Sequence, residues 1–240
     1  MSVAIVTGGS RGIGRAIAQR LGARGTSVVV NYQSNRSAAE QVAATIAGSG
    51  GQALVAQADV ADPDGPRRLF DVAEQRFGGV DIFVNNAGAA RFGSIAEATD
   101  ADFELMFAVN AKATFFALRE AANRVRDNGR IVVVSSGATL THRPGSGLYG
   151  ASKAAVEQLV RVLARELGAR GITANSVLPG AVRTDALAAS RAGSTPQIIR
   201  STPLGRVGEP DDIAGVVDFL TSDAARWITG ACVPAGGGAF

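Results

Sequence analysis

A tyrosine and a lysine stand at a spacing that suits acid–base chemistry on an alcohol or carbonyl oxygen. Tyr149 and Lys153 are four positions apart in a helical pattern, so their side chains point to one face of the helix. A free phenol has a pKa of about 10 and donates protons poorly at neutral pH, whereas a nearby ammonium group favours the phenolate. We therefore expect Lys153 to lower the pKa of Tyr149 toward the working range.

Ser136 completes this candidate catalytic set. It follows a β-branched run and precedes Tyr149 by thirteen positions, where its hydroxyl can donate a hydrogen bond to a substrate oxygen. A tyrosine–lysine pair alone is often an exposed helix pair, but only Lys112 and Lys153 among the 24 basic residues are lysines. Arginine cannot replace Lys153 as a compact charge, so its retention in an arginine-rich chain supports a role.

A glycine-rich segment between the first strand and the first helix predicts a phosphate-binding turn. Thr7 is followed by a G-x-x-x-G-x-G pattern, one residue different from the common dinucleotide fingerprint. Glycines let the backbone approach a pyrophosphate, which the helix N-terminus stabilises. A tight turn without a ligand is the alternative. The candidate cofactor contacts in this loop are Gly8, Ser10, Arg11, Gly12, Ile13 and Gly14.

The end of the second strand predicts which dinucleotide binds. NAD-binding sites usually place Asp or Glu there to accept hydrogen bonds from the ribose, but this chain has Asn31, Tyr32 and Ser34, which we take as further cofactor contacts. Arg11 offers a fork of donors for a 2′-phosphate, with Arg36 as a second cation. We therefore expect NADP(H) to be preferred, with NAD(H) as the alternative. The positive charge of an oxidised nicotinamide would also favour the Tyr149 phenolate.

Short β-branched runs alternate with helix-length segments, which predicts an α/β fold with a parallel sheet and helices on both faces. Glycines at 25, 48, 50, 51, 78, 79, 129 and 171 fall where each helix should end. The predicted strands cover residues 3–6, 28–30, 53–56, 82–84, 131–134 and 172–177. The predicted helices cover residues 15–24, 37–47, 65–77, 100–126 and 149–169.

Composition limits the class of protein. The chain has 240 residues, 46% hydrophobic and 19% charged, as expected for one packed domain spanning residues 1–240. Its start enters a strand pattern and no apolar run approaches the roughly 20 residues that cross a bilayer, so we expect a cytoplasmic protein without a membrane partner. The lone Cys232 and lone His142 predict neither a disulfide nor a metal site, and we expect a buried filler and a surface loop residue.

A basic sequence pI of 9.6 raises the alternative of nucleic-acid binding. However, the formal net charge is only +3 and no dense basic run is interleaved with aromatic residues. Solvated helix faces explain these charges better, so we expect no nucleic-acid partner.

The ordered set of motifs resembles the short-chain dehydrogenase/reductase family over almost the whole chain. The resemblance implies a doubly wound (Rossmann), mostly parallel seven-stranded sheet and hydride transfer between a nicotinamide cofactor and an alcohol/carbonyl pair. It also implies a homotetramer, with a dimer as the alternative. Beyond the residues already named, the matching positions are Asp59, Val60, Asn85, Asn86, Ala87, Gly88, Asn110, Pro179, Gly180, Thr184 and residues 208–214.

The resemblance also implies roles for these residues. Asp59 and Val60 would hold the adenine ring, and the turn of Asn86, Ala87 and Gly88 would pass beside the adenosine ribose. Asn110 would complete the catalytic set, its backbone helping to hold a water that links Lys153 to a proton relay. The residues implied to close over the nicotinamide and its phosphates are Pro179, Gly180, Val182 and Thr184.

Two segments carry less information. Relatives often end in Val-Asp-Gly-Gly, whereas this chain reads Pro-Ala-Gly-Gly-Gly at 234–238, which leaves the turn or subunit contact there in doubt. Residues 183–203 predict a lid, in which Leu187, Ile198 and Ile199 either line an apolar pocket or pack the lid itself. We expect reduction of a 3-oxoacyl thioester or a similar ketone. The alternatives are an NAD(P)-dependent alcohol, polyol or sugar dehydrogenase and, more remotely, a non-catalytic dinucleotide-binding regulator.

Overall fold

The computed structural model describes residues 2–189 and 195–240, in which strands alternate with helices. The strands are β1 (Val3–Val6), β2 (Ser27–Tyr32), β3 (Ala53–Gln57), β4 (Val80–Asn85), β5 (Val125–Val134), β6 (Thr173–Pro179) and β7 (Cys232–Ala235). The helices are α1 (Gly12–Ala23), α2 (Arg36–Gly48), α3 (Gly65–Phe77), α4 (Asp100–Met106), α5 (Ala113–Arg124), α6 (Ala138–Thr141), α7 (Gly147–Glu166), α8 (Asp185–Ala189), α9 (Thr195–Ser201) and α10 (Pro210–Leu220).

The strands form one seven-stranded parallel sheet in the order β3-β2-β1-β4-β5-β6-β7. This confirms the doubly wound sheet that the resemblance implied. The strand order reverses between β1 and β4, so the loops that leave these strands diverge and open a crevice at their carboxyl ends. The glycine-rich loop follows β1 and Ser136 follows β5, so both sets of candidate residues stand at the carboxyl ends of strands.

The sheet is buried on both faces, which explains the near-continuous apolar strands. In β1, Val3 and Ile5 face one core while Ala4 and Val6 face the other. Side chains from α3, α5 and α7 pack in the first core, and side chains from α1, α2 and α10 pack in the second. The helices therefore cover both faces as predicted, and they hold the strand ends in fixed positions around the crevice.

The long helix predicted over residues 100–126 is interrupted and ends early. A π turn over Phe107–Lys112 separates α4 from α5, and the chain enters β5 at Val125. Gly129 therefore lies inside a strand, and the prediction that it ends a helix is wrong. A Cβ there would collide with Val125 and with the Asp81 carbonyl 2.7 Å away, so close packing requires the glycine. In contrast, Gly78 ends α3 in the left-handed conformation, as predicted.

Several described elements have no counterpart among the predicted helices and strands, namely β7, α6 and α10, together with α8 and α9 in the predicted lid. β7 is a short edge strand of four residues, and α10 begins at Pro210 with a capping box between Glu209 and Asp212. Part of the predicted lid, residues 190–194, lies outside the described residues. None of the helices in the described ranges combines the length and the apolar character that crossing a bilayer requires.

Candidate functional site

A cavity of about 640 Å³ opens at the carboxyl ends of the strands. Its lining includes the three predicted catalytic side chains, Ser136, Tyr149 and Lys153. Loops after β1, β4, β5 and β6 reach it, so four crossovers of the sheet contribute to one concave surface. The predicted cofactor residues that line the same cavity are Ile13, Asn86, Gly88, Pro179, Gly180, Val182 and Thr184.

Tyr149 and Ser136 lie together at the centre of this cavity. Ser136 follows the end of β5, where its hydroxyl accepts a hydrogen bond from the backbone N–H of Ala138 at 3.1 Å. Tyr149 stands in the first turn of α7 and is hydrogen-bonded to Ser136. The ring of Phe92 contacts the Tyr149 ring edge-on, with centroids 5.4 Å apart. The phenol is thereby fixed in direction by one polar and one aromatic neighbour.

The expected lowering of the Tyr149 pKa is not produced by the residues of the protein itself. Burial raises the pKa of the Tyr149 phenol, and only the hydrogen bond from Ser136 opposes this effect. Removing water disfavours the charged phenolate more than the neutral phenol. The phenol is therefore held protonated, which is the form that can donate a proton to an oxygen atom.

Lys153 is a buried residue of α7, one helical turn after Tyr149. Its ammonium group donates a hydrogen bond to the Val134 carbonyl at 3.0 Å. Burial lowers the pKa of Lys153 to about 8, and the nearby Glu157 carboxylate partly opposes that effect. A Cβ on Gly88 would lie 3.1 Å from the Lys153 nitrogen and 3.0 Å from the Asn110 side-chain oxygen. The absence of a side chain at Gly88 therefore leaves room for both of these polar groups.

The π turn carries Asn110 into the site. Its side chain is fully buried, donates hydrogen bonds to the Ala89 carbonyl and to Ser152, and accepts one from the Ala89 N–H at 2.9 Å. Such turns often mark functional sites because the extra residue redirects a side chain. The side chains of Asn110 and Lys153 both approach Gly88, and the Asn110 side chain ties α7 to the loop after β4.

Glu157 is a buried acidic residue that the sequence reading did not select. One carboxylate oxygen accepts a hydrogen bond from Ser135 at 2.7 Å, and the other faces Cys232 at 3.6 Å and Arg161 at 3.5 Å. Cys232 is thus not a simple apolar filler, because its sulfur also contacts Arg161. Glu157 stands one helical turn after Lys153, and this i,i+4 spacing from the catalytic lysine is the signal that could have identified it.

The glycine-rich loop fits a dinucleotide phosphate. Gly8 and Gly12 adopt left-handed φ values of 60° and 53°, and a Cβ on Gly14 would collide with the Gly8 carbonyl. No described side chain caps the N-terminus of α1, so its first N–H groups point toward the loop without an intrahelical partner. A phosphate oxygen accepts hydrogen bonds from N–H groups of this kind. A Cβ on Gly12 would lie 3.2 Å from Thr184. The loop therefore lies against one of the residues predicted to close over the nicotinamide.

The buried Thr7 and Asn31 and the partly buried Asn86 hold this loop through hydrogen bonds. Asn31 accepts a hydrogen bond from the Gly8 N–H at 3.0 Å and donates to the Ala58 carbonyl at 3.0 Å. Asn86 donates to the Thr7 carbonyl at 3.0 Å, and the Thr7 hydroxyl accepts from the Asn86 N–H at 2.9 Å. The Asn31 side chain faces the loop and β3, and the contact of Asn31 with the cofactor stays a prediction. Thr7 is a loop-positioning residue that the sequence reading noted only as part of the motif.

The other residues predicted to contact the adenosine half of the cofactor differ in their burial and in their partners. The side chain of Tyr32 is 4% exposed and packs in the core, and the contact of Tyr32 with the cofactor stays a prediction. Arg11 is exposed at the N-terminus of α1, whereas Arg36 is paired with Glu40 at 2.8 Å. Asp59 is exposed and accepts a hydrogen bond from Gln33 at 2.9 Å. The remaining candidates are Ser10, Ser34, Val60 and Ala87, of which Ser34 is exposed and Val60 is buried.

The opposite end of the cavity is mainly apolar. Leu187 and Ile198 of the predicted lid line it, but Ile199 does not and is 38% exposed. His142 is an exposed residue at the end of α6, as expected, and it also borders the cavity. The aromatic contributors Phe92 and Phe240 were not anticipated from the sequence.

Comparisons with known proteins agree with this geometry. The family described as "Enoyl-(Acyl carrier protein) reductase" matches residues 8–239. Versicolorin reductase stcU of Emericella nidulans is 45% identical, over 99% of the chain and 95% of that protein. The structure of landomycin C-6 ketoreductase LanV with bound NADP and rabelomycin is similar with a TM-score of 0.90 and 43% identity, covering 99% of this chain and 96% of that one. A short-chain dehydrogenase from Burkholderia cenocepacia in complex with NADP gives a TM-score of 0.93 at 40% identity, covering 99% and 97%.

Proposed function

Because the chain belongs to the short-chain dehydrogenase/reductase family, it is an NADP(H)-dependent oxidoreductase of carbonyl groups, and we propose that it reduces a ketone with Tyr149 as the proton donor. The observation that carries this proposal is the half-buried Tyr149, which is hydrogen-bonded to Ser136 within the cavity. A neutral phenol beside a serine hydroxyl offers two donors to one carbonyl oxygen.

Each member of the set has a distinct part in this reaction. Ser136 donates a hydrogen bond that orients the ketone oxygen, and Tyr149 delivers the proton to it. Lys153 keeps a positive charge beside the phenol and stabilises the phenolate left after proton transfer. Asn110 positions Lys153 by holding the loop after β4 against α7. The side chains that line the cavity around these four residues exclude water from the reacting oxygen.

The cofactor would be held by the glycine-rich loop, the N-terminus of α1 and Thr184, with Arg11 available to a 2′-phosphate. When bound, NADPH supplies the hydride. Pro179 and Gly180 follow β6 and line the cavity next to Ser136, which supports their assignment to the nicotinamide end.

The cavity favours a ketone carried on an apolar body. Phe92, Leu187, Ile198 and Phe240 contribute apolar surface to it, and a polyol or sugar would place hydroxyl groups against these side chains. The names of two relatives specify versicolorin and the C-6 ketone of angucyclines. Among the expected substrates, we therefore favour a similar ketone over a 3-oxoacyl thioester.

The first test follows NADPH oxidation against a panel of apolar cyclic ketones and 3-oxoacyl thioesters. Tyr149→Phe removes the proton donor while keeping the ring, so we expect the turnover number to fall at least about 100-fold. NADPH binding, followed by its fluorescence, should persist in this variant. Turnover that survives in Tyr149→Phe would overturn the proposal.

The two lysines provide a matched control. Lys153→Arg replaces a compact buried ammonium with a larger planar group and should also stop turnover, whereas Lys112→Arg changes an exposed side chain and should not. Tight NADPH binding without turnover of any ketone, or of any alcohol with NADP⁺, would instead support the non-catalytic regulator.

Assembly and location stay predictions. A homotetramer, with a dimer as the alternative, is supported by exposed apolar side chains on α4, α5 and α7, namely Phe103, Phe115 and Val162. Light scattering of the purified protein distinguishes these states. A cytoplasmic location and the absence of a nucleic-acid partner rest on the sequence alone.

A further inference from the structure

The segment after β7 turns back toward the active-site cavity. Gly237 and Gly238 adopt left-handed φ values of 63° and 84°, and the Ala239 N–H donates to the Gly236 carbonyl at 3.2 Å. The Leu204 N–H donates to the Gly237 carbonyl at 3.2 Å, which ties this turn to the chain after α9. This turn contains the glycines of the sequence that departs from Val-Asp-Gly-Gly. Consecutive glycines permit a reversal that side chains would obstruct.

The reversal delivers the ring of Phe240 into a slot between two glycines. A Cβ on Gly236 would lie 2.5 Å from the Phe240 ring, and a Cβ on Gly137 would collide with it outright. Gly137 directly follows Ser136, so the ring lies beside the backbone of the residue that orients the substrate. Both Ala239 and Phe240 line the cavity.

A second aromatic ring borders the same catalytic pair. Phe92 contacts Tyr149 edge-on, and the guanidinium group of Arg143 lies 5.5 Å from the Phe92 centroid. The Ser136 side of the cavity thus has the Phe240 ring and the Tyr149 side has the Phe92 ring. Aromatic rings contact other rings edge-to-face or offset-stacked, in geometries that aliphatic chains do not reproduce.

We propose that Phe240 is a specificity-determining residue, held in the slot between Gly137 and Gly236, that selects ketones whose carbonyl-bearing ring is fused to an aromatic ring. This inference rests on the proposed reductase function and names its substrate class. The Phe240 ring acts on substrate binding rather than on the chemical step. Without it, Ser136 still orients the ketone oxygen, Tyr149 transfers the proton and Lys153 stabilises the phenolate.

The test compares 2-tetralone, a fused aromatic ketone, with ethyl acetoacetate, a small 3-oxo ester, in NADPH oxidation. Phe240→Ala removes one ring contact, which corresponds to about a tenfold rise in KM for 2-tetralone. The kcat for 2-tetralone and both constants for ethyl acetoacetate should stay close to wild type. Equal effects on the two ketones, or no effect on either, would overturn the proposal.

A second variant approaches the slot from the other side. Gly236→Ala places a methyl group where the ring lies, so it should displace Phe240 and raise the KM for 2-tetralone as Phe240→Ala does. Combining the two substitutions should be no worse than either alone, because the ring is already lost. Phe219→Ala, which truncates an exposed ring on α10, serves as the matched control. Additive effects in the double variant would contradict the slot.

Failure of the proposed function can be separated from failure of this inference. If wild-type protein reduces neither ketone, the reductase proposal fails for these classes. Calorimetric titration of 2-tetralone into the NADP⁺-loaded protein then decides the inference. Binding that is about tenfold weaker in Phe240→Ala supports the aromatic wall. Equal affinities, or no binding to wild type, overturn it.

Discussion

The two ends of the cavity are built by different interactions. At the proposed cofactor end, Asn31 accepts a hydrogen bond from the Gly8 N–H, Asn86 donates one to the Thr7 carbonyl, and the Thr7 hydroxyl accepts one from the Ala87 N–H. At the substrate end, apolar side chains such as Leu187 and Phe240 form the surface. Directional bonds fix atoms in place, whereas apolar contacts tolerate exchange when volume is kept. The cofactor end should therefore resist substitution and the substrate end should accept it.

The largest effect that would sharpen this comparison is expected at Gly14. Its Cβ would collide with the Gly8 carbonyl, so Gly14→Ala must move the loop backbone. The loss of a charged hydrogen bond or two from the loop corresponds to about a 100-fold rise in the Kd for NADPH. Fluorescence titration with NADPH measures this change.

Gly48→Ala is the matched control for this variant, because a Cβ there meets nothing within 4 Å. It should leave NADPH affinity and thermal stability unchanged. Unchanged NADPH affinity in Gly14→Ala would show that the loop adapts, and the contrast between a fixed and a tolerant end would not hold.

A smaller effect is expected at the exposed edge of the cofactor end. Arg11→Ala removes a candidate partner of the 2′-phosphate, and we expect kcat/KM for NADPH to fall about tenfold with NADH unaffected. Arg36 is already paired with Glu40, so Arg36→Ala should change the preference less. Steady-state kinetics with both cofactors provide the measurement. Equal losses with NADPH and NADH would remove Arg11 from phosphate recognition.

The smallest effect is expected at Glu157, a buried residue of α7. Its carboxylate raises the pKa of Lys153, which burial has lowered to about 8. Lys153 is charged below that pKa, so reduction should be lost as pH rises through about 8. Glu157→Gln keeps a group that can bond Ser135 but removes the charge, so the pKa of Lys153 falls further. The alkaline loss of kcat should then begin at a lower pH than in wild type.

The pH profile of kcat in Glu166→Gln, an exposed substitution on the same helix, is the control for this comparison. It should superimpose on the wild-type profile. If the profile of Glu157→Gln also superimposes, Glu157 has only a packing role and does not influence the charge of Lys153.

The same division explains what could be predicted from the sequence. Ser136, Tyr149 and Lys153 were identified because their chemistry requires particular residue types at particular spacings, and the structure brings them together. The glycine-rich loop was identified for the same reason. Phe92 and Phe240 were not anticipated, because an apolar wall can be built from many residues and leaves no fixed spacing in the chain.

The parts of the fold that were missed also have physical causes. β7 is a short edge strand containing Pro234, so neither length nor periodicity marks it. Asn31 and Tyr32 are predicted to contact the cofactor because they end a strand at the correct edge of the sheet, but the direction of their side chains could not be predicted. Only the packing of β2 against β3 and the loop shows that both side chains point inward.

The π turn over Phe107–Lys112 changes the phase of the helical repeat between α4 and α5. Each added residue rotates the following side chains by about 100° around the helix axis. A regular 3.6-residue pattern drawn from Asp100 to Arg124 therefore assigns the wrong face to side chains on one side of the turn. In α4 the buried residue is Met106, α5 buries a stripe of residues between Ala113 and Ala121, and Asn110 lies in the π turn between the two helices.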